Sequence, residues 1–233
     1  MKAWCLLAAV LLASMLVGCG SRESQVERAV ERELPSIVGP AESYKVDVQG
    51  IRGATGADLV TVSGTRVHPA GAPVLDRVSV ALANVVYNPN CSGLQSISGV
   101  EGRVGVLGSD IAAFLEENRR LQNVQVTLRP PNEAVVRAQP EIPQLQLPSG
   151  APVVEVTGVL RGVGPIINYD VTQVRAGGVT LPDPAPRLLS DAINPIVDLS
   201  AMPLMLQVGE LRVADSTLIA DVTGRYTQPS ASR

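Results

Sequence analysis

Apolar and polar residues alternate with a period of two over most of this chain, a pattern typical of half-buried β-strands. The clearest example is 123–130, where Val124, Val126 and Leu128 share one face. Over 77–87 the apolar residues move from one set of alternate positions to the other near Asn84, and this change of phase indicates a β-bulge. The pattern predicts strands over 44–50, 58–67, 77–87, 102–108, 123–130, 133–138, 153–162, 167–176, 203–213 and 216–226.

Two segments near the ends of this pattern repeat apolar residues at helical spacing instead. The first, 21–39, has charged residues on its opposite face, and Pro35 should kink or end the helix because proline lacks the backbone N–H. The second, 184–198, contains Pro195, which should disturb its later part. Both segments are therefore predicted to be amphipathic helices.

A further helix is predicted over 109–120, with Ser109 or Asp110 as its cap and Phe114 and Leu115 facing inward. The order of helix followed by hairpin recurs along the chain without clear sequence identity, at 22–68, 109–138 and 185–226. These elements predict an α+β fold, in which a long antiparallel sheet carries a few amphipathic helices against one face.

The first eighteen residues are typical of a secretory signal, with a positive start and an apolar run over 3–17. That run is short for a membrane-spanning helix. It ends in Leu16-Val17-Gly18-Cys19, the lipobox order of a bacterial lipoprotein. We therefore expect cleavage before Cys19 and attachment of diacylglycerol to its thiol. The alternative is an ordinary signal peptide that happens to contain a cysteine.

These features predict four regions in the chain: a lipoprotein signal peptide at 1–18, a lipidated N-terminus and short tether at 19–21, a single domain at 22–226 and a flexible tail at 227–233. The helix start would lie within about 20 Å of the bilayer, at about 3.5 Å per extended residue. We expect an exported protein, anchored to the bacterial cell membrane or outer membrane on its periplasmic or extracellular face.

Composition and charge exclude one class of partner. The formal net charge is −3, and an acidic balance argues against nucleic-acid binding through bulk charge. The only tryptophan, Trp4, would leave with the signal, so few aromatic side chains remain for stacking on bases. Cys91 would have no internal partner, and it is either a small buried apolar residue or a reactive thiol.

The motifs of common enzymes are missing from the sequence. His68 is the single histidine, and no CxxC, HExxH or GxSxG motif is present. His68 precedes a proline, which fits a strand end or turn better than a catalytic base. Glu116 and Glu117 are adjacent on a predicted helix and therefore do not face each other. We expect a binding or scaffolding protein, with no cofactor and no metal, and not an enzyme.

The distal half of the chain resembles the bacterial LmeA-like phospholipid-binding family. The resemblance rests on Ile193-Asn194-Pro195, on Asp198-Leu199, on Pro203 and on the hairpin that follows, together with the N-terminal helix "VERAVERELP". It spans about 22–226. The resemblance implies an extracytoplasmic domain that binds phospholipid, with a curved sheet that wraps a long helix as in tubular lipid-binding proteins.

A groove for phospholipid or another acyl-chain ligand needs aliphatic side chains with few unpaired polar groups. The predicted elements offer such candidates on two strands and two helices: Val78, Val80, Leu82, Phe114, Leu115, Leu188, Leu189, Ile193, Ile196, Leu204, Leu206 and Val208. The same residues could instead close a dry core, because every sheet has an apolar face.

Two function hypotheses from different classes follow. In the first, the lipoprotein binds, and possibly shuttles, phospholipid, with membrane phospholipid as both anchor site and ligand. In the second, it is a non-catalytic envelope scaffold that binds another protein through a sheet edge or a helix face. A hydrolase that uses His68 is the least favoured alternative.

Overall fold

The computed structural model of the protein describes residues 22–53, 55–87, 93–118, 121–143, 145, 147 and 153–227. The predicted signal peptide, Cys19, the tether, Cys91 and the tail beyond residue 227 lie outside these ranges. The described helices are α1 (Arg22–Ile37), α2 (Gly108–Asn118) and α3 (Ala185–Ile193). The described strands are β1 (Ala41–Arg52), β2 (Gly56–Val67), β3 (Leu75–Tyr87), β4 (Leu94–Leu107), β5 (Leu121–Arg129), β6 (Glu133–Pro140), β7 (Val154–Val163), β8 (Ile166–Ala176), β9 (Val179–Thr180), β10 (Val197–Asp198), β11 (Gln207–Ala214) and β12 (Thr217–Thr227).

The α+β class is confirmed, but the strands form two antiparallel sheets instead of one. Sheet 1 has the order β1-β2-β3-β4-β12-β11, and sheet 2 has the order β10-β8-β7-β6-β5 with β9 paired to β8. Two backbone bonds join them: the Val208 N–H donates to the Gly164 carbonyl at 2.7 Å, and the Val213 N–H donates to the Pro131 carbonyl at 2.6 Å. Edge strand β11 of sheet 1 therefore lies against the turns of sheet 2.

The helices are divided between the sheets, so the prediction that they share one face of one sheet is wrong. Helix α1 packs on β1, α2 packs on β5 and α3 packs on β8. Helix α1 buries Val26, Val30, Leu34 and Ile37, the residues that its 3.6-residue period places on one side. One continuous apolar cluster joins both sheets and all three of these helices, and the described residues include no buried polar or charged residue.

The predicted change of phase near Asn84 is present, but the predicted β-bulge is wrong, because the strand register runs through this position without a slip. Leu82 and Val85 are both buried, and between them Asn84 has a φ of +50°. The neighbouring strands change phase at the same level, so Val60 and Ala57 on β2 and Val100 and Ile97 on β4 are also buried. Because these strands shift together, the ladder stays intact while the sheet bends.

Predicted element boundaries are wrong in at least three places, and the first is the strand expected over 102–108, which starts at Leu94. The helix expected over 184–198 ends at Ile193, because Asn194 precedes Pro195 and adopts an extended conformation, as residues before proline do. Val197 and Asp198 then pair with Ile167 and Ile166 as β10. The strand expected to start at residue 203 starts at Gln207, although side chains still alternate between exposed and buried from Pro203 onward.

Candidate functional site

The candidate lipid contacts lie mainly inside the common apolar core. Nine of the twelve are buried and belong to that one cluster: Val78, Leu82, Leu115, Leu189, Ile193, Ile196, Leu204, Leu206 and Val208. The other three, Val80, Phe114 and Leu188, are half-buried. The structure therefore places these nine candidates in one continuous apolar core, as buried side chains.

One pocket forms around Leu188, a candidate residue on α3. It has a volume of about 310 Å³ and lies at the start of α3. Leu188 contributes to it from α3, Leu181 from the chain after β9 and Leu145 from the segment after β6. The remaining lining residues are Pro182, Asp183, Pro184 and Ala185. This volume is at the lower end of the range for small-ligand sites, about 300–1,000 Å³.

Backbone hydrogen bonds position the wall of this pocket. The Leu181 N–H donates to the Val174 carbonyl on β8 at 2.9 Å, and the Ala185 N–H donates to the Pro182 carbonyl at 3.1 Å. On the other side, the Leu145 N–H donates to the Ile142 carbonyl at 3.0 Å. Next to Leu188, the buried Leu189 and Ile193 hold α3 against β8. The pocket therefore lies at the edge of the core, since Leu181 and Ala185 belong to both.

The end of α3 is fixed by an asparagine from the motif that carries the family resemblance. Asn194 Oδ1 accepts from the Tyr169 N–H at 2.6 Å, and Asn194 Nδ2 donates to the Tyr169 carbonyl at 3.0 Å. The Tyr169 side chain is fully buried, with its hydroxyl 2.9 Å from the Ala134 carbonyl and 2.8 Å from the Val156 carbonyl. Burial, and to a lesser degree the charge of Glu133, raises the pKa of Tyr169. Asn194 therefore joins the end of α3 to β8 of sheet 2.

A second concave region lies on the outer face of sheet 1. It consists of two depressions of about 640 and 520 Å³, which share Ser79 and Arg103. The residues of one cross-strand row, Thr61, Ala81, Glu101 and Thr223, line the larger depression. In the next row Arg103 pairs with Asp221, with 3.0 Å between Nε and Oδ1. Polar side chains such as Arg103 thus alternate with apolar ones such as Val80 and Ile219 on this open face.

The strongest ion pair of the described residues was not anticipated from the sequence. Arg66 donates two hydrogen bonds to Asp110, at 2.6 and 2.8 Å, and its Nη1 lies 3.7 Å from Oδ1 of Asp76. The hydrogen bond to Asp110 is the main cause that raises the pKa of Arg66. The sequence had suggested Asp110 only as a helix cap, because no local signal connects positions 44 residues apart. The pair ties β2 to the first turn of α2.

Glu116 also has a role that the sequence did not indicate. Its Oε1 accepts a hydrogen bond from the Val124 backbone N–H at 2.7 Å, which links α2 to β5. Glu117 is exposed, as expected for adjacent helical residues. Neither carboxylate faces the pocket at α3.

His68 is exposed between β2 and β3, and its backbone N–H donates to the Pro40 carbonyl at 2.8 Å. Within the described ranges, no three His, Cys, Asp or Glu side chains come together in a way that could hold a metal ion. None of the helices in the described part of the chain has the length and apolar character needed to cross a membrane.

No protein-family model, curated protein or solved structure matches this chain.

Proposed function

We propose that this protein is an extracytoplasmic lipoprotein, anchored through Cys19, that binds phospholipid or another acyl-chain ligand. The lipobox at residues 16–19 and the resemblance to LmeA-like proteins support the proposal from the sequence. A fold in which a curved sheet encloses the ligand, as in tubular lipid-binding proteins, is part of the same proposal.

The observation that carries the proposal is the pocket of about 310 Å³ at the start of α3. Leu145, Leu181 and Leu188 give it an aliphatic wall suited to an acyl chain. Asp183 is the only charged residue in its lining. Leu181 and Ala185 in its lining belong to the aliphatic core, so an acyl chain that enters beside Leu188 reaches the edge of that core. We therefore place the ligand at α3 and treat the remaining buried candidates as the core that supports it.

Photo-crosslinking tests this placement. The processed full chain is reconstituted into vesicles of phosphatidylcholine that contains a diazirine on one acyl chain, irradiated, digested and mapped by mass spectrometry. We expect labelled peptides from 181–188 and from around Leu145. Leu188→Asp should reduce this labelling strongly, because a carboxylate in an apolar pocket disfavours the acyl chain.

Val179→Asp is the matched control, since Val179 is 60 % exposed and does not line the pocket. The control should keep the labelling of wild type. Equal labelling of Leu188→Asp and wild type, with both variants folded, would refute the proposed site.

A second candidate function, a non-catalytic scaffold that binds an envelope protein, is favoured by the outer face of sheet 1. That face has two open depressions around Ser79 and Arg103, with both polar and apolar side chains, and edge strand β1 of the same sheet pairs on one side only. A photoreactive amino acid at Ser79 in cells should then crosslink to a protein, whereas the same amino acid at Val179 should not. Crosslinks to protein without any lipid labelling at α3 would favour the scaffold.

A further inference from the structure

Two segments without charged residues lie far apart in the sequence, at 162–169 and 199–209. The first forms the turn between β7 and β8, and the second connects β10 to β11. Backbone bonds hold them together: the Leu199 N–H donates to the Pro165 carbonyl at 3.1 Å, and the Val208 N–H donates to the Gly164 carbonyl at 2.7 Å. They therefore form one uncharged projection.

This projection exposes apolar side chains. Val163 is 62 % exposed, Met205 is 57 % exposed, and Pro203 is exposed between the buried Met202 and Leu204. We call Val163, Pro203 and Met205 the apolar tip. Exposed apolar side chains scattered singly are ordinary, but several of them on an uncharged projection indicate a binding surface.

The apolar tip lies at the end of sheet 1 from which the N-terminal tether leaves. The Met205 N–H donates to the Arg225 carbonyl at 2.9 Å, near the end of β12. The next residue of β12 is Tyr226. Its pKa is raised by burial and, to a lesser degree, by the charge of Glu33, which shows that α1 passes close to this end of the sheet. The first half of α1 also packs against Tyr87 and Leu94, the ends of β3 and β4.

The distance from this end to the anchor is short. Eleven residues of helix separate Glu33 from Arg22, a rise of about 17 Å. Three further residues reach Cys19, which adds at most about 11 Å of chain. A diacylglycerol on Cys19 would therefore hold this end of the molecule, and not the opposite end of sheet 1, next to the bilayer.

We infer that the apolar tip inserts into the interfacial layer of the membrane to which the protein is anchored. This inference rests on the lipid anchor of the proposed function. Val163 and Met205 supply the apolar contact, and the exposed Arg225 guanidinium, whose Nε lies 3.4 Å from the Met205 sulfur, is placed to reach a lipid phosphate. The tip and the acyl anchor together give two attachments, which fixes the orientation of the domain on the bilayer.

A single tryptophan provides the test, because the only tryptophan of the chain is Trp4. Trp4→Phe removes it from any unprocessed chain as well, and Val163→Trp or Met205→Trp is then added in separate proteins, which are purified in their processed form starting at Cys19. Each is reconstituted into vesicles of phosphatidylcholine and phosphatidylglycerol with brominated acyl chains. We expect the emission of both tip tryptophans to shift to shorter wavelength and to be quenched by bromine.

Val179→Trp in the same background is the matched control. Val179 is also a valine, and it is 60 % exposed. It pairs with Ala176 on β8, whereas Val163 pairs with Ile166, ten residues earlier on the same strand. That separation is about 33 Å, at about 3.3 Å per residue. All three variants also carry Leu188→Asp, because a brominated acyl chain in the α3 pocket would lie close to residue 179. The control tryptophan should then stay unquenched, and circular dichroism should match wild type for all three variants.

Flotation of the vesicles separates failure of the tip from failure of the anchor. A protein that floats while its tip tryptophans stay unquenched refutes the tip and leaves the lipid anchor in place. Equal quenching at Val163, Met205 and Val179 also refutes the tip, since the contact would then have no preferred side. A processed chain, starting at Cys19, that does not float contradicts the anchor, and the inference that rests on it fails as well.

Discussion

Asn194 and Tyr169 are joined in the way that two residues of neighbouring β-strands are joined, although one of the two partners is a side chain. The amide of Asn194 accepts from the Tyr169 N–H and donates to the Tyr169 carbonyl, at 2.6 and 3.0 Å. The amide thus continues the edge of sheet 2 beyond β10, where Val197 pairs with Ile167. Buried backbone groups need such partners, because leaving them unpaired costs free energy.

Asn194→Ala should lower the free energy of unfolding by about 2 kcal/mol, since it leaves both backbone groups of Tyr169 without their partner. Asn194→Asp keeps an acceptor for the N–H but places a second oxygen against the carbonyl, and it should therefore destabilise as well. Urea unfolding measures both effects. Asn168→Ala, at a half-buried position on the same strand, is the control and should cost less. Equal costs for the Asn168 and Asn194 variants would contradict the assigned role.

The pair of Arg66 and Asp110 should contribute more to stability than the exposed pair of Arg103 and Asp221. The side chains of the first pair are 28 % and 11 % exposed, and those of the second are 64 % and 37 % exposed. Double-mutant cycles with alanine should give a coupling energy of about 1.5 kcal/mol for the first pair. The second pair should give less than about 1 kcal/mol and weaken further with added salt.

Arg66→Lys separates the geometry of this interaction from its charge. Lysine keeps the positive charge but cannot donate two parallel hydrogen bonds to one carboxylate. We expect it to recover less than half of the coupling energy. Full recovery would mean that the charge alone, and not the bidentate contact, ties β2 to α2.

The sequence predicts the strands and helices well because their signals are local. The alternation at 58–67 anticipated β2, and the apolar stripe of α1 anticipated the side that Val26 and Val30 bury. The number of sheets was not predictable in this way. It depends on the pairing of β4 with β12, in which Arg103 lies opposite Asp221, more than 100 residues away in the sequence. The alternation of apolar and polar residues within a strand does not specify which strand is its partner.

The segment before β11 shows where a pattern and a structure differ. Side chains alternate between exposed and buried from Pro203 to Val208, as the predicted strand required, but the ladder with β12 begins at Gln207. Alternation reports burial on one face, and backbone pairing depends on a neighbouring strand. The pocket at α3 had even less signal, because it combines Leu188 with Leu145 from a segment that reads as irregular.

Stability should fall between pH 10 and 12 because of Tyr44. Its hydroxyl donates to the Gly39 carbonyl at 2.6 Å, and burial raises the pKa of Tyr44 to about 12. The unfolded chain has the ordinary tyrosine pKa of about 10. A raised pKa in the folded state means that the stabilisation is complete below pH 10 and is lost as the pH approaches 12.

Tyr44→Phe should therefore be less stable than wild type at pH 9 and should lose less stability between pH 10 and 12. Urea unfolding across this range measures the slope. Tyr169 and Tyr226 also have a raised pKa through burial, so some slope will remain in the variant. An unchanged slope after Tyr44→Phe would show that the folded protein does not favour the neutral phenol at this position.

Two glycines on β4 should respond in opposite ways to alanine. A Cβ on Gly102 would meet the Ser79 carbonyl oxygen and would lie 2.6 Å from Val80 Cα on the adjacent strand, so β3 or β4 would have to move. A Cβ on Gly99 would lie 3.6 Å from the Ala83 side chain, an ordinary van der Waals contact. Neither glycine has a positive φ, so the backbone conformation does not favour glycine at either site.

Gly102→Ala should therefore reduce the free energy of unfolding by about 1–3 kcal/mol, the usual cost of forcing extra atoms into a packed site. Gly99→Ala should change it little or raise it slightly, because alanine restricts the unfolded chain more than glycine does. Thermal and urea unfolding of the two variants provide the measurement. A Gly102→Ala protein as stable as Gly99→Ala would show that β3 and β4 can separate at this row without cost. The outer face of sheet 1 around Ser79 would then be a deformable surface and not a fixed one.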